Sequence, residues 1–229
     1  MSEVVLMADP RVTEVPVQEI DEPLVDAREL ESLFVDPQRD TGDGAFAHVR
    51  RELAQRLETA HGLLPHGYRL GLVEGYRPYA LQEQYFSDYR GELVTARPDL
   101  SEPESYRLAS RYVAPPPVAP HVSGAAVDLV LLDADGRLVD MGSPINATPE
   151  SSAGACYFAA DNVSAEARQH RQLLAAALGE VGLVNYPTEW WHWSYGDRYW
   201  AFVTEQPAAL YGPVCDVAAA SRRCRPQSQ

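Results

Sequence analysis

Apolar residues recur at helical spacing in two long stretches of the chain. From Ala45 to Leu64, "AFAHVRRELAQRLETAHGLL" sets Phe46, Val49, Leu53 and Leu57 on one stripe with alternating charge opposite, which predicts an amphipathic helix on a core. "SAEARQHRQLLAAALGEVGL" predicts a second helix, with Ser164 as N-cap, Glu166 early and Gly182 near the end. Between them, "YRLGLVEGYRP" reads as a strand interrupted at Gly75 and stopped by Pro78, because the residue before a proline avoids helix. "PYALQEQYFSDYRGEL" then opens a helix with proline at its first turn. "VAPPPVAP" (113–120) is a rigid loop that delivers the chain to His121. "AAVDLVLLD" is β-rich and almost wholly apolar, and "DADG" predicts a turn into "RLVDM", together a buried hairpin. "NATPESSAGA" reads as a surface loop, and "EWWHWSYGDRYWAFV" as paired strands with a "YGD" turn. The first forty-odd residues promise at most a strand or short helix before "DTGDG".

Helices around a mostly antiparallel sheet make this an α+β fold, one domain. The expected divisions are an N-terminal segment, 1–44, packed on the core, a main unit, 45–211, and a tail, 212–229. A chain of 229 residues with 45% hydrophobic and 23% charged residues suits a soluble globular protein. Its net charge of −14 argues against nucleic acid or an anionic membrane as partner, since both need clustered cations. No stretch approaches the ~20 apolar residues of a membrane span. The opening "MSEVVLMADPRVTEV" lacks the basic-then-apolar pattern of a signal peptide. Cys156, Cys215 and Cys224 follow no CxxC spacing, so the expected compartment is a reducing cytoplasm.

"PTEWWHWSYG" raises a chemical question: it sets Glu189 and His192 among three of the chain's four tryptophans. A carboxylate in such a setting is costly unless a cation compensates it. "HVSGAAVD" adds His121 and Asp128, and "EGYRP" adds Arg77 at a strand end. Two histidines and an aspartate are the ligand set of an open zinc site, where water takes the fourth position. Residues seven apart fall on opposite faces of an ideal strand, so His121 must precede the strand and turn back through Gly124. A bulge or bend must likewise separate Glu189 from His192, one of them binding metal while the other stands beside the bound water. Singly, each feature has a plainer explanation, because tryptophan clusters are mostly core and a lone histidine is mostly surface. Together the features favour a site, since Asp128 inside "AAVDLVLL" needs a partner to be buried at all. His48, His61, His66 and His170 are expected at the surface.

"EGYRP", "APPPVAPHVSGAAVDLVLLDADG" with "VDMGSP", and "NYPTEWWHWSYGDRYWA" closely resemble the D-alanyl-D-alanine dipeptidases of the VanX type. The resemblance runs from about Leu63 to Val203 and implies a zinc peptidase with the fold of D-Ala-D-Ala carboxypeptidases and the hedgehog signalling domain. It implies one zinc ion held by His121, Asp128 and His192. It further implies that Glu189 is the general base that takes a proton from the metal-bound water, and that Arg77 stabilises the oxyanion. Tyr76, Ser123, Asn146 and Trp191 are candidate substrate contacts, and Tyr79 and Tyr85 flank Arg77.

Two positions depart from the family's pattern. Ala119 stands where the family has serine, and Asn146 stands where it carries the aspartate of the region that holds the substrate's amino group. Asparagine accepts a hydrogen bond from an ammonium but cannot pair its charge. The expected activity is therefore hydrolysis of D-Ala-D-Ala or a closely related dipeptide in the cytoplasm. The alternatives are a D,D-carboxypeptidase or amidase acting on a longer or modified peptide (a cell-wall precursor or specialised metabolite), and a zinc-retaining binding protein without turnover. Retention of both Glu189 and Arg77 counts against the last.

Overall fold

A computed structural model describes residues 4–214; Cys215, Cys224 and most of the expected tail lie outside the described residues. The chain begins with a short helix α1 (Pro10–Thr13) and a strand β1 (Leu24–Asp26). Strands β2 (Phe34–Val35) and β3 (His48–Arg50) precede helix α2 (Arg51–Leu63) and strand β4 (Arg69–Glu74). Helices α3 (Tyr79–Ala96) and α4 (Glu102–Ala109) lead to strand β5 (Ala126–Leu132). Helix α5 (Ala165–Glu180), strands β6 (Val184–Asn185) and β7 (His192–Ser194), and helix α6 (Arg198–Val203) complete the fold. The central sheet has the order β2-β4-β5-β7-β6; β2 runs parallel to β4 and every other neighbour is antiparallel. This is the α+β arrangement expected from the sequence.

The two sheet faces have different jobs, and strand parity assigns them. Leu70 and Leu72 of β4, Val127, Leu129 and Leu131 of β5, and Trp193 of β7 pack with Leu53 and Leu57 of α2 and Leu174 and Leu178 of α5 in the main core. The opposite face carries Asp128 and His192, which are direct cross-strand partners. A β-bulge between Leu72 and Glu74 inserts one residue into β4, so that Glu74 also comes opposite Asp128. Glu74, Asp128 and His192 thus form a lateral row across three strands on one face. Helices α3 and α4 stand above that face with their own apolar cluster of Phe86, Tyr89, Leu93, Ala109 and Val113.

Several elements differ from expectation. The predicted helix at Ala45 begins only at Arg51, because Ala45–Ala47 forms a 3-10 turn and His48–Arg50 pairs with β1 as a strand. Phe46 and Val49 are buried as expected, but from non-helical backbone. The "DADG" hairpin is short: Leu132 bridges Leu138, the Asp133 N–H donates to the Arg137 carbonyl and the Val139 N–H to the Leu131 carbonyl. After His192–Ser194 the chain forms α6 rather than a second strand, because the Asp197 carboxylate accepts from the N–H groups of Tyr199 and Trp200 and caps a helix. Helix α4 was not anticipated; its signature was the capping box of Ser101 and Glu104. His170 is buried, with Nδ1 bonded to the Asp140 carbonyl.

The N-terminal residues pack directly on this frame. Leu6, Met7 and Val12 cluster with Tyr186 and Tyr199, and Val17 bridges to Ala209. Arg50, fully buried, donates to the carbonyls of Ser123, Glu22 and Gly212, and so ties the segments at Glu22 and Gly212 to the turn that carries His121. Gly124 ends that turn with φ 68°, and a Cβ there would overlap Leu24 Cδ2. The left-handed backbone alone costs a non-glycine residue about 1–2 kcal/mol. Gly124→Ala should therefore lower the melting temperature by at least ~2–4 °C. Gly91→Ala, in a helix with open space around the new Cβ, should leave it unchanged or raise it. Calorimetry of the two variants checks both.

Candidate metal centre

Each residue of the centre arrives by a separate local device. Pro120–Ser123 forms a 3-10 turn and Gly124 reverses the chain, so His121 points back over the strand that Asp128 occupies. His192 opens β7 directly beside Asp128. Glu189 lies in the tight turn before β7, where its N–H donates to the Tyr186 carbonyl. The Asn185 side-chain amide donates to the carbonyls of both Glu189 and His192 and closes that turn from below. A turn, rather than a bulge, therefore resolves the spacing of Glu189 and His192.

The potential ligand atoms converge. His121 Nε2 lies 3.1 Å from His192 Nδ1 and 3.4 Å from Asp128 Oδ1, and His192 Nδ1 lies 3.2 Å from Asp128 Oδ1. Ligands ~2.0–2.1 Å from a tetrahedral zinc stand about 3.3–3.4 Å from one another, so this triangle fits one face of such a site. The opposite nitrogen of His121, Nδ1, donates to the Gly75 carbonyl at 2.7 Å. That bond fixes the tautomer and leaves the Nε2 lone pair facing the triangle. All three residues are buried. Burial keeps His192 neutral by lowering its pKa, as a ligand requires. Burial alone would raise Asp128, but His121 and His192 outweigh it and hold the carboxyl well below its ordinary range. The residues present fit a single divalent metal ion with nitrogen and oxygen ligands.

Two further groups face this triangle. Glu189 Oε2 lies 3.8 Å from His192 Nδ1. Burial, reinforced by the Asp128 charge and opposed by Arg77, raises its pKa well above that of an ordinary glutamate. Arg77 donates from Nε and Nη2 to both oxygens of Glu74, at 2.7 and 2.6 Å, and from Nη1 to Gln82 Oε1 at 2.8 Å. A guanidinium has five N–H donors, so one on Nη1 and one on Nη2 remain for the cavity. The Tyr85 ring lies under the guanidinium carbon at 5.0 Å.

A cavity of about 310 Å³ opens over the triangle. Arg77, His121, Asp128, Glu189, Trp191 and His192 line its floor, with Asn146 and Tyr112 on one wall. Asn146 adopts a left-handed backbone (φ 62°), and its carbonyl accepts from the Tyr112 hydroxyl at 2.8 Å. Two expected substrate contacts turn elsewhere: Tyr76 donates to the Val214 carbonyl and Ser123 to the Pro120 carbonyl, and neither lines the cavity. Tyr79 is likewise absent from its lining, whereas Tyr85 is part of it. Glu74, Gln82, Tyr112 and Arg39 belong to the site without having been expected there. Glu74 had a signal in "EGYRP", three residues from an arginine, but its orientation depends on the bulge in β4.

A family model described as D-ala-D-ala dipeptidase matches residues 38–208. The D-alanyl-D-alanine dipeptidase of Synechocystis sp. (strain ATCC 27184 / PCC 6803 / Kazusa) is 29% identical over 237 aligned residues, covering 87% of this chain and 95% of that protein. The D-alanyl-D-alanine dipeptidase of Escherichia coli (strain K12) is 35% identical over 72 residues, 31% of this chain and 35% of that one. Among solved structures, the vancomycin-resistance D,D-pentapeptidase VanY in complex with Zn(II) superposes with a TM-score of 0.40 at 15% identity, over 77% of this chain and 89% of that chain. The LdcB LD-carboxypeptidase does so at 0.45 and 20% identity, over 81% and 73%.

If the triangle holds the ion, His192→Ala should lower bound metal well below one per chain after zinc loading, by elemental analysis. Full occupancy in that variant would remove His192 from the ligand set.

Proposed function

The chain belongs to the D-Ala-D-Ala dipeptidase family of metallopeptidases, and from that premise we propose that it hydrolyses D-Ala-D-Ala, or a closely related dipeptide, as a zinc enzyme. The convergence of His121, Asp128 and His192 beside Glu189 at the floor of one cavity carries this reading. A zinc ion held by those three residues would polarise the scissile carbonyl and bring the pKa of a bound water down to roughly 7. Glu189 takes the proton of the attacking water and hands it to the leaving amine nitrogen; its raised affinity for a proton, caused by burial, suits both transfers. Arg77 presents its remaining N–H groups to the carbonyl oxygen as negative charge develops there. It needs no reorganisation, because Glu74 and Gln82 already hold its other donors. Trp191 closes the floor of the cavity and limits water near the reacting bond.

The size of the cavity favours a small peptide over a polymer. Asn146 lines it as a neutral group, so a substrate ammonium there finds a hydrogen-bond acceptor without a charge partner. No helix among the described residues is long and apolar enough to cross a membrane. A cytoplasmic dipeptide pool agrees with the acidic chain and its unpaired, buried Cys156.

Purified, zinc-loaded protein should release D-alanine from D-Ala-D-Ala. Glu189→Ala should keep its zinc and lose on the order of 10²–10⁴ in kcat. Undiminished turnover in that variant would sink the mechanism, and no release by the wild-type protein would reject this substrate. Asn146→Asp should raise kcat/KM for the free dipeptide by about one to two decades, because it restores a charge-assisted contact to the ammonium. The same variant should gain nothing on the N-acetylated dipeptide, a comparison that steady-state kinetics makes directly.

A further inference from the structure

Arg39 lines the cavity although it comes from the N-terminal segment, far along the chain from the residues of the metal centre. Its position is built by the backbone. Strand β2 pairs in parallel with β4, Phe34 opposite Gly71 and Val35 opposite Leu72, and the Asp36 N–H donates to the Leu72 carbonyl at 2.8 Å. The Asp36 side chain then caps the 3-10 turn Pro37–Arg39. Arg39 is thereby carried to the end of β4, beside Glu74 and above the metal centre.

The charges there do not balance. Arg77 occupies both oxygens of Glu74 with two short hydrogen bonds. Arg39 Nε stands 3.7 Å from Glu74 Oε2, too far for a hydrogen bond, and no group among the described residues accepts one from its guanidinium. Its side chain is only 24% exposed. Two guanidinium groups therefore share one carboxylate, and the second keeps its whole planar fork of donors, a shape that matches a carboxylate in two parallel hydrogen bonds. The other acids that line the cavity do not meet this need. Asp128 and Glu189 lie with the histidines on the floor, and Asp88 and Glu92 stand exposed on α3 without an ion pair to Arg39.

We propose that Arg39 anchors the free C-terminal carboxylate of the substrate, and so makes the enzyme select peptide acids over peptide amides. This rests on the peptidase reading above and adds the residue that sets the end of the peptide the site accepts. Arg39 touches the substrate but not the reacting bond, so its loss acts on KM rather than on kcat.

The test compares D-Ala-D-Ala with D-Ala-D-alaninamide for wild type and Arg39→Gln. The wild type should favour the acid by about one to two decades in KM, the worth of a charge-assisted contact. Arg39→Gln should lose that preference through a higher KM for the acid, with kcat and the amide parameters unchanged, and Arg39→Lys should recover part of it. A preference that survives in Arg39→Gln overturns the proposal. So does an equal fall of kcat on both substrates, which would mean that Arg39 only buttresses Glu74 and Arg77. Calorimetric binding of acid and amide to zinc-loaded Glu189→Ala, with and without Arg39→Gln, separates this question from turnover. Tighter acid binding that depends on Arg39 supports the anchor even if the wild type hydrolyses neither compound, a result that would reject only the dipeptidase reading. Acid binding no tighter than amide binding overturns the anchor.

Discussion

Asp128 is a carboxylate, only 3% exposed, in the middle of a seven-residue strand whose other side chains are all apolar. An ion in that position is tolerated only if close partners compensate its charge, and removing one partner of a buried pair typically costs about 3–5 kcal/mol. Much of the surrounding architecture meets this requirement. The register between β5 and β7 sets His192 beside it, the turn at Gly124 folds His121 over it, and both histidines present a nitrogen at hydrogen-bond distance or slightly beyond. A divalent ion in the middle of the three would supply the rest of the compensation.

Buried arginines extend the same logic outward, each holding a segment by its carbonyls or carboxylates. Arg77 is matched by Glu74, which reaches the site face only because a bulge shifts β4 by one residue. Arg50 grips the carbonyls of Ser123 in the His121 turn, of Glu22 and of Gly212. Arg171 donates to the carbonyls of Met141, Ala155, Tyr157 and Phe158, and lies 5.9 Å from the Trp190 ring. With no carboxylate bonded to it, burial pushes its pKa down to about 10. It fixes both ends of the loop that brings Asn146 and Thr148 to the cavity. A single fold thus immobilises much of the cavity lining by satisfying backbone groups, while the N-terminal segment adds Arg39 and Met7 to that lining.

How far each element is legible in the sequence depends on the range of the interactions that form it. Helix α5 was legible because its cap, its apolar stripe and its terminal glycine are all local. Helix α4 is equally local, its start marked by the capping box of Ser101 and Glu104. Phe46 and Val49 mimicked a helical period yet lie in a turn and a strand, because pairing with β1 decided the backbone there. "DRYWAFV" has the aromatic and β-branched composition of a strand, but the Asp197 cap made it α6. Tyr76 and Ser123, expected as substrate contacts, instead donate to the carbonyls of Val214 and Pro120, partners that sequence alone does not reveal.

By itself, the sequence determined the α+β class, the apolar strand with one charge inside it, and the residue types able to bind a metal and move a proton. It also required that the chain turn back between His121 and Asp128, since a strand's alternation would otherwise part them. Tertiary structure alone decided the register that aligns Glu74, Asp128 and His192, the bulge that makes that alignment possible, and the delivery of Arg39 by a two-residue parallel strand. The physical reason lies in the separation along the chain. Periodicity and capping act within a few residues, whereas a cavity is made by side chains tens of residues apart, whose relative positions are fixed only when the whole sheet closes.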